Sequence, residues 1–156
     1  MAALFEFRLE PLLRLRVQAE KTKQRVVARR LIAISEAQRR MEEIATQERA
    51  ERARLREASG PGSMSVDEVM ASRGWIGRLQ RDRWAIAGQI AAHEQQLAVE
   101  RAALAEAAKQ RKILEKLRER RLAEFRWRMN RSEDRFLDEI ASGQFVRSAS
   151  AAELES

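Results

Sequence analysis

One interruption, Ser59-Gly60-Pro61-Gly62-Ser63, constrains this chain more than any other feature. Two of the six glycines and one of the two prolines fall in those five residues, where a helix does not readily continue. On either side run long charge-rich stretches whose apolar residues recur at alternating spacings of three and four. A chain helical on both sides of one flexible point most simply folds back on itself. The fold class expected is all-α: a long antiparallel two-helix coiled-coil hairpin with a short helical turn at the bend. Function is then to be sought on surfaces and at ends.

The first helix is expected over about 11–57, starting at Pro11, whose fixed φ and missing N–H suit the first helical position. Before it, Phe5, Phe7 and Leu9 alternate, as extended chain or an added turn. A heptad seam can be counted through Leu13, Val17, Glu20, Gln24, Val27, Leu31, Ile34, Gln38, Met41, Ala45, Glu48, Arg52 and Leu55. Eight of these thirteen positions are apolar, and the spacing does not slip, which argues for a left-handed coiled coil. The five polar positions weaken the seam, so stability is expected to be modest.

The bend is expected over 58–77. Within it Ser65-Val66-Asp67-Glu68 has the form of a capping box, and Gly74 and Gly77 around Trp75-Ile76 suggest a second bend. The second helix, about 78–141, carries Leu79, Arg83, Ile86, Ile90, His93, Leu97, Glu100, Leu104, Ala107, Arg111 and Leu114 on its seam. The pattern shifts around Leu117–Leu122, a stutter, then resumes through Phe125, Met129, Phe136 and Ile140. Gly143 marks the expected stop. Residues 1–141 thus form one hairpin domain, and 142–156 are expected to be a disordered tail.

Charge placement adds a second constraint. Residues 8–30 carry eight Arg/Lys against two acids, and residues 111–135 ten against five. Between them, residues 31–110 hold twelve of each sign. In an antiparallel hairpin the two basic stretches lie side by side, so the open end is basic and the remainder neutral. With 35% charged residues, 5% aromatic and no cysteine, the composition is that of a long helical or coiled-coil protein and offers no disulfide or thiolate zinc site. The early charges of the N-terminus do not match a signal peptide, and no run reaches the ~20 apolar residues of a membrane span. A soluble, cytoplasmic protein is expected.

His93 is the single histidine, without partners for a zinc site or catalytic triad, and reads as a seam residue. No Lys-Ser/Thr follows the glycine-rich break, which excludes a P-loop. No enzyme activity, metal, cofactor or small-molecule substrate is expected. The basic end fits either phosphate or an acidic protein surface. Phe125 and Trp127 beside Arg126 and Arg128 favour a protein anchor, because Trp and Arg dominate contact hot spots. Nucleic acid is disfavoured, since aromatics otherwise do not interleave with the basic residues. Trp75 and Trp84 read as packing at the bend.

The order of motifs resembles one family. Phe5-x-Phe7-x-Leu9-x-x-Leu12-Leu13-x-Leu15-Arg16 resembles the start of the flagellar export protein FliJ. Lys112-x-Leu114-Glu115-Lys116-Leu117-x-Glu119-Arg120 and Asp138-Glu139-Ile140-Ala141 resemble its second helix and C-terminal end. Trp75-Ile76-x-x-Leu79 and Ile90-x-x-His93-x-x-x-Leu97 are also similar, so the likeness runs to about residue 141.

The resemblance implies a non-catalytic component of the bacterial flagellar type III protein export apparatus, cytoplasmic and peripheral to the inner membrane at the flagellar base. It would act in flagellum biogenesis and motility as a stalk inserted into the hexameric export ATPase. It would also link that ring to the cytoplasmic domain of the membrane export gate protein, with export chaperones as further partners. Arg14, Arg16, Arg118, Arg120, Arg121 and Arg128 would attract the ring, and Phe125 and Trp127 would anchor in it. Ile86 and His93 match positions of the gate contact. The accompanying first-helix positions, Ala45, Arg49, Arg52 and Arg56, depart from the family's apolar or aromatic types. The alternatives are a basic coiled-coil nucleic-acid-binding arm and an injectisome stalk or adaptor coiled coil.

Overall fold

The computed structural model describes residues 4–58, 60, 62 and 64–154, the side chains at 146 and 148–154 excepted. Two helices account for nearly all of it, α1 (Glu10–Glu57) and α2 (Val66–Leu154), with no strand among the described residues. The architecture is the expected all-α two-helix hairpin. Contacts divide it into two compact units, one of residues Gln18–Ala108 and the other of Met1–Val17 with Lys109–Ser156.

The ends of both helices follow local chemistry. Glu10 opens α1, where its charge complements the helix dipole, and Pro11 needs no hydrogen-bond acceptor there. Arg54 and Arg56 stand in the last turn, the favourable sign for that end. At the start of α2 the capping box forms. The Ser65 N–H donates to Glu68 Oε2 at 2.8 Å, and the Glu68 N–H returns a bond to Ser65 Oγ at 3.3 Å. The Ser65 N–H, joined by the Ser65 hydroxyl at 3.1 Å, holds the Glu68 carboxyl below its ordinary pKa. Gly62 has φ of 89°, a left-handed conformation that costs a side-chain-bearing residue steric strain. Ser59, Pro61 and Ser63 of the expected break lie outside the described residues.

The second bend expected at Ser72–Gly77 is absent. α2 begins at Val66, not near 78, and passes through Gly74 and Gly77 without a break. A glycine inside a helix costs about 1 kcal/mol relative to alanine, but the seam continues across both. Val69 and Ile76 are half-buried, Ser72 is buried, and Leu79 is only 2% exposed. Ser72 Oγ also donates to the Glu51 carboxylate of α1. Burial of Ile76 and Leu79 outweighs the local propensity. At the other end α2 continues past Gly143 to Leu154, in place of the expected stop and disordered tail. Arg147 Nε bonds the Gly143 carbonyl at 3.1 Å within that stretch. The seam is another matter there: Phe136 and Ile140 are 62% and 40% exposed, so it does not resume as buried positions.

In the unit of residues 18–108 the helices pair antiparallel. Val27, Ile34 and Leu97 form its core cluster, with Leu104 against it. The α2 positions from Leu79 to Leu104 follow the expected seam, Arg83 alone being exposed. On α1 half of the expected seam is displaced by one residue. Val27, Ile34, Met41, Glu48 and Leu55 turn inward, but between them stand Arg30, Ala37, Ile44 and Glu51. Leu31, Gln38 and Arg52 are exposed instead. The cause is polar. Arg30 reaches across to Glu100 at 2.8 Å and Glu51 meets Ser72, so charged residues take places that an apolar count assigns to Leu31.

Candidate protein-docking site

The second unit brings the start of the first basic stretch, Arg8, Arg14 and Arg16, together with the whole of the second. Arg16 Nη1 donates to Gln110 Oε1 at 2.6 Å, Glu10 Oε2 stands 3.2 Å from Arg118 Nε, and the Phe5 and Phe125 ring centroids are 5.7 Å apart. As numbering falls along the N-terminal segment it rises along α2, the antiparallel sense. Phe7, Leu13 and Leu114 supply the buried apolar positions, each under one-tenth exposed. Residues 4–7 are not helical. This non-helical approach to α1 lets Phe5 and Phe7 lie against α2.

A groove of about 810 Å³ results, lined chiefly by Phe5, Phe7, Leu117, Arg121, Phe125 and Arg128. Its floor is aromatic, and its charged edge sets Arg8, Arg121 and Arg128 against the single acid Glu6. The surrounding charge is not neutralised locally. Glu10 is shared by Arg14 at 4.0 Å and Arg118 at 3.2 Å. Glu124 is shared by Arg120 at 3.7 Å and Arg121 at 3.2 Å. Four guanidiniums thus face two carboxylates, all on solvent-accessible side chains, so a positive surplus remains at the surface.

The structure therefore places the six expected arginines in one unit, with Phe125 half-buried in the groove. Trp127 lies outside the groove, 60% exposed, with the Arg131 guanidinium 5.1 Å from its ring centroid. It edges a second hollow with Ala123, Glu124 and Arg128. Counting charges could not find Phe5, Phe7 and Leu117 as partners of Phe125. The only signal was the alternation of Phe5, Phe7 and Leu9 ahead of Pro11.

Ile86 and His93 belong to the other unit, where both are half-buried on the seam. His93 Nδ1 accepts a bond from Arg30 Nη1 at 2.9 Å, because a guanidinium can only donate. The same guanidinium holds Glu100, whose hydrogen bonds keep the Glu100 carboxyl below its ordinary range against the opposing effect of burial. The α1 residues expected beside them are otherwise engaged. Arg49 pairs with Glu42 at 2.7 Å and Arg52 with Glu48 at 2.6 Å, while Ala45 is half-buried and Arg56 exposed. Trp75 and Trp84, expected to pack at the bend, are 41% and 84% exposed, because they fall off the seam of a helix that does not bend there.

Among the described residues no group of acidic or histidine side chains is arranged to hold a metal, and no helix is long and apolar enough to cross a membrane. The family model described as "Flagellar FliJ protein" matches residues 5–150. No curated protein and no solved structure gives a match.

Proposed function

Since the chain belongs to the flagellar FliJ family, non-enzymatic components of flagellar export, we propose that it is the stalk of the export ATPase. In this role the unit carrying Phe5, Phe125 and the arginine surplus enters the hexameric ring. Arg14, Arg16, Arg118, Arg120, Arg121 and Arg128 attract acidic ring surfaces and speed encounter. Phe125, in its groove, and the exposed Trp127 supply the desolvated contacts that make an interface persist. The helices contribute no reacting group. Their effect is mechanical and allosteric, one asymmetric element biasing the interfaces between ring subunits.

The observation that carries this reading is the sharing of Glu10 and Glu124 by four arginines beside an aromatic groove. The link to the gate protein is a second part of the same proposal, made through the flank of the Gln18–Ala108 unit. Ile86 and His93 would shape that flank from the seam beneath it.

The test adds the chain to the purified hexameric ATPase and follows ring assembly and hydrolysis. Wild-type protein is expected to raise both, and Arg118→Glu, Arg120→Glu and Arg121→Glu combined to abolish the effect with helicity retained. Unchanged hydrolysis and assembly on adding wild-type protein would sink the stalk reading.

A further inference from the structure

Between Lys109 and Arg131 the outer side of α2 carries a cationic stripe. Lys109, Ile113, Lys116, Arg120, Trp127 and Arg131 follow at spacings of four, three, four, seven and four. At 3.6 residues per turn this keeps them within about a quarter of the helix circumference. All six are exposed, Trp127 by 60% and Ile113 by 57%. The side that meets the N-terminal segment lies about half a turn away. There Leu114 is buried, Arg118 reaches Glu10 at 3.2 Å, and Phe125 lies against Phe5. The stripe therefore faces away from the rest of its unit.

Its charge is of one sign. Four of the six residues are Lys or Arg and none is acidic. Glu124 stands at its edge, already engaged by Arg120 at 3.7 Å and Arg121 at 3.2 Å. Asp134 closes it three residues beyond Arg131. Among the described residues Lys109, Lys116 and Arg131 make no ion pair; the Arg131 guanidinium lies 5.1 Å from the Trp127 ring centroid instead. The result is a line of positive charge about 33 Å long, with Ile113 and Trp127 set into it.

That combination selects its occupant. A leaflet of acidic lipids offers negative charge at every point along such a line, and basic residues held near it add their attractions. Trp sits at the level of lipid headgroups, and Lys stems lie along apolar surface with their ammonium groups in water. A nucleic-acid strand is the poorer match, because one aromatic and one aliphatic side chain about 21 Å apart make no stacking platform. We propose that the Lys109–Arg131 face of α2 is a peripheral binding surface for anionic lipid bilayers. The helix lies on the leaflet and does not enter it. With only Ile113 and Trp127 to bury, attachment is mainly electrostatic and reversible. The inference does not rest on the stalk proposal. Arg120 and Trp127 serve both readings, whereas Lys109, Ile113, Lys116 and Arg131 serve this one alone.

Flotation of the full chain with lipid vesicles tests it. Wild type is expected to float at low salt with vesicles of equal parts phosphatidylglycerol and phosphatidylcholine, and not with phosphatidylcholine alone. Raised salt is expected to release it. Lys109→Glu, Lys116→Glu and Arg131→Glu combined are expected to weaken the binding about tenfold or more. Circular dichroism checks that this variant keeps its helicity, and its effect on the ATPase is expected to match that of wild type, so the two readings fail separately. Trp75→Phe with Trp84→Phe leaves Trp127 as the single tryptophan, and its emission is expected to shift to the blue on anionic vesicles. Wild type that does not float with anionic vesicles overturns the proposal, as does equal flotation of the charge variant or an unshifted Trp127 emission. Tighter binding of single-stranded nucleic acid than of anionic vesicles also overturns it and assigns the stripe to a phosphodiester backbone.

Discussion

Arg83 of α2 holds its Nη1 2.9 Å from Glu48 Oε2 of α1, and this cross-helix pair sits at one of the polar positions expected to weaken the seam. Glu48 is 6% exposed. Its oxygens also accept from Arg52 at 2.6 Å and from Gln80 Nε2 at 3.2 Å. A buried carboxylate left without donors is costly, whereas a fully bonded one is tolerated and fixes position. The interaction sets which turn of α2 stands opposite Glu48, a register that apolar spacing alone leaves open.

Acid should expose this dependence. Hydrogen bonds from Arg83, Arg52 and Gln80 lower the Glu48 pKa from 4.5 to about 2, against the opposing effect of burial. A carboxyl depressed in the folded state stabilises above its unfolded value and loses that contribution as pH falls towards its folded value. Helix melting followed by circular dichroism is therefore expected to weaken between pH 4.5 and pH 2. The lowered Glu68 and Glu100 carboxyls add to the same trend. Glu48→Gln should melt lower than wild type at neutral pH and show a shallower acid slope. Equal slopes for the two proteins would remove Glu48 as the cause.

Two leucines separate the observed seam from the one counted by apolar spacing. Leu79 is 2% exposed and Leu31 is 42% exposed. Leu79→Ala is expected to cost about 2–4 kcal/mol, lowering the melting midpoint by roughly 5–15 °C for a chain of this size. Leu31→Ala should cost under about 1 kcal/mol, as at other surface positions. Comparable losses in the two variants would mean that Leu31 packs on the seam after all.

The connection between the helices makes its own prediction. Ser65→Ala removes the cap of α2 and is expected to cost about 1 kcal/mol. Gly62→Ala forces a side chain into a positive φ and should cost about 1–2 kcal/mol, although nothing lies within 4 Å of the added atom. Gly60→Ala, with the same open space and no such φ, should be near neutral. Chemical denaturation of the three variants checks the order.

The long-range plan was legible because it rests on periodicity and on one break. The α2 seam from Leu79 to Leu114, the capping box at Ser65–Glu68 and the meeting of the first basic residues, Arg14 and Arg16, with the second basic stretch all follow from spacing and from the hairpin it implies. What spacing missed was decided by partners distant in sequence. Arg30 displaces Leu31 because Glu100 stands across from it, and Gly74 and Gly77 stay helical because Ser72, Ile76 and Leu79 gain contacts with α1. The arginines of the candidate site were visible as charge. Its aromatic floor was not, since nothing local assigns Phe5 to Phe125 over a separation of most of the chain.

That floor gives the most direct way to separate docking from folding. Phe5 lies ahead of α1, so truncating it removes no helical hydrogen bond, and its contact with Phe125 is tilted, with an interplanar angle of 53°. Aromatic pairs of this kind contribute about 0.5–1.5 kcal/mol beyond the area they bury. Phe5→Ala is therefore expected to leave helicity and the main melting transition almost unchanged. Faster amide exchange should appear near Glu10 and Leu13, whose N–H groups bond the Phe7 and Leu9 carbonyls. Phe125→Ala should do the same, and the double variant should add little to either, because each single change already breaks the pair. If the groove is a docking surface, both variants weaken capture of the ATPase while Arg14, Arg118 and Arg120 are still in place. Full capture by Phe5→Ala and Phe125→Ala would leave charge alone to account for binding, and salt would then have to abolish it.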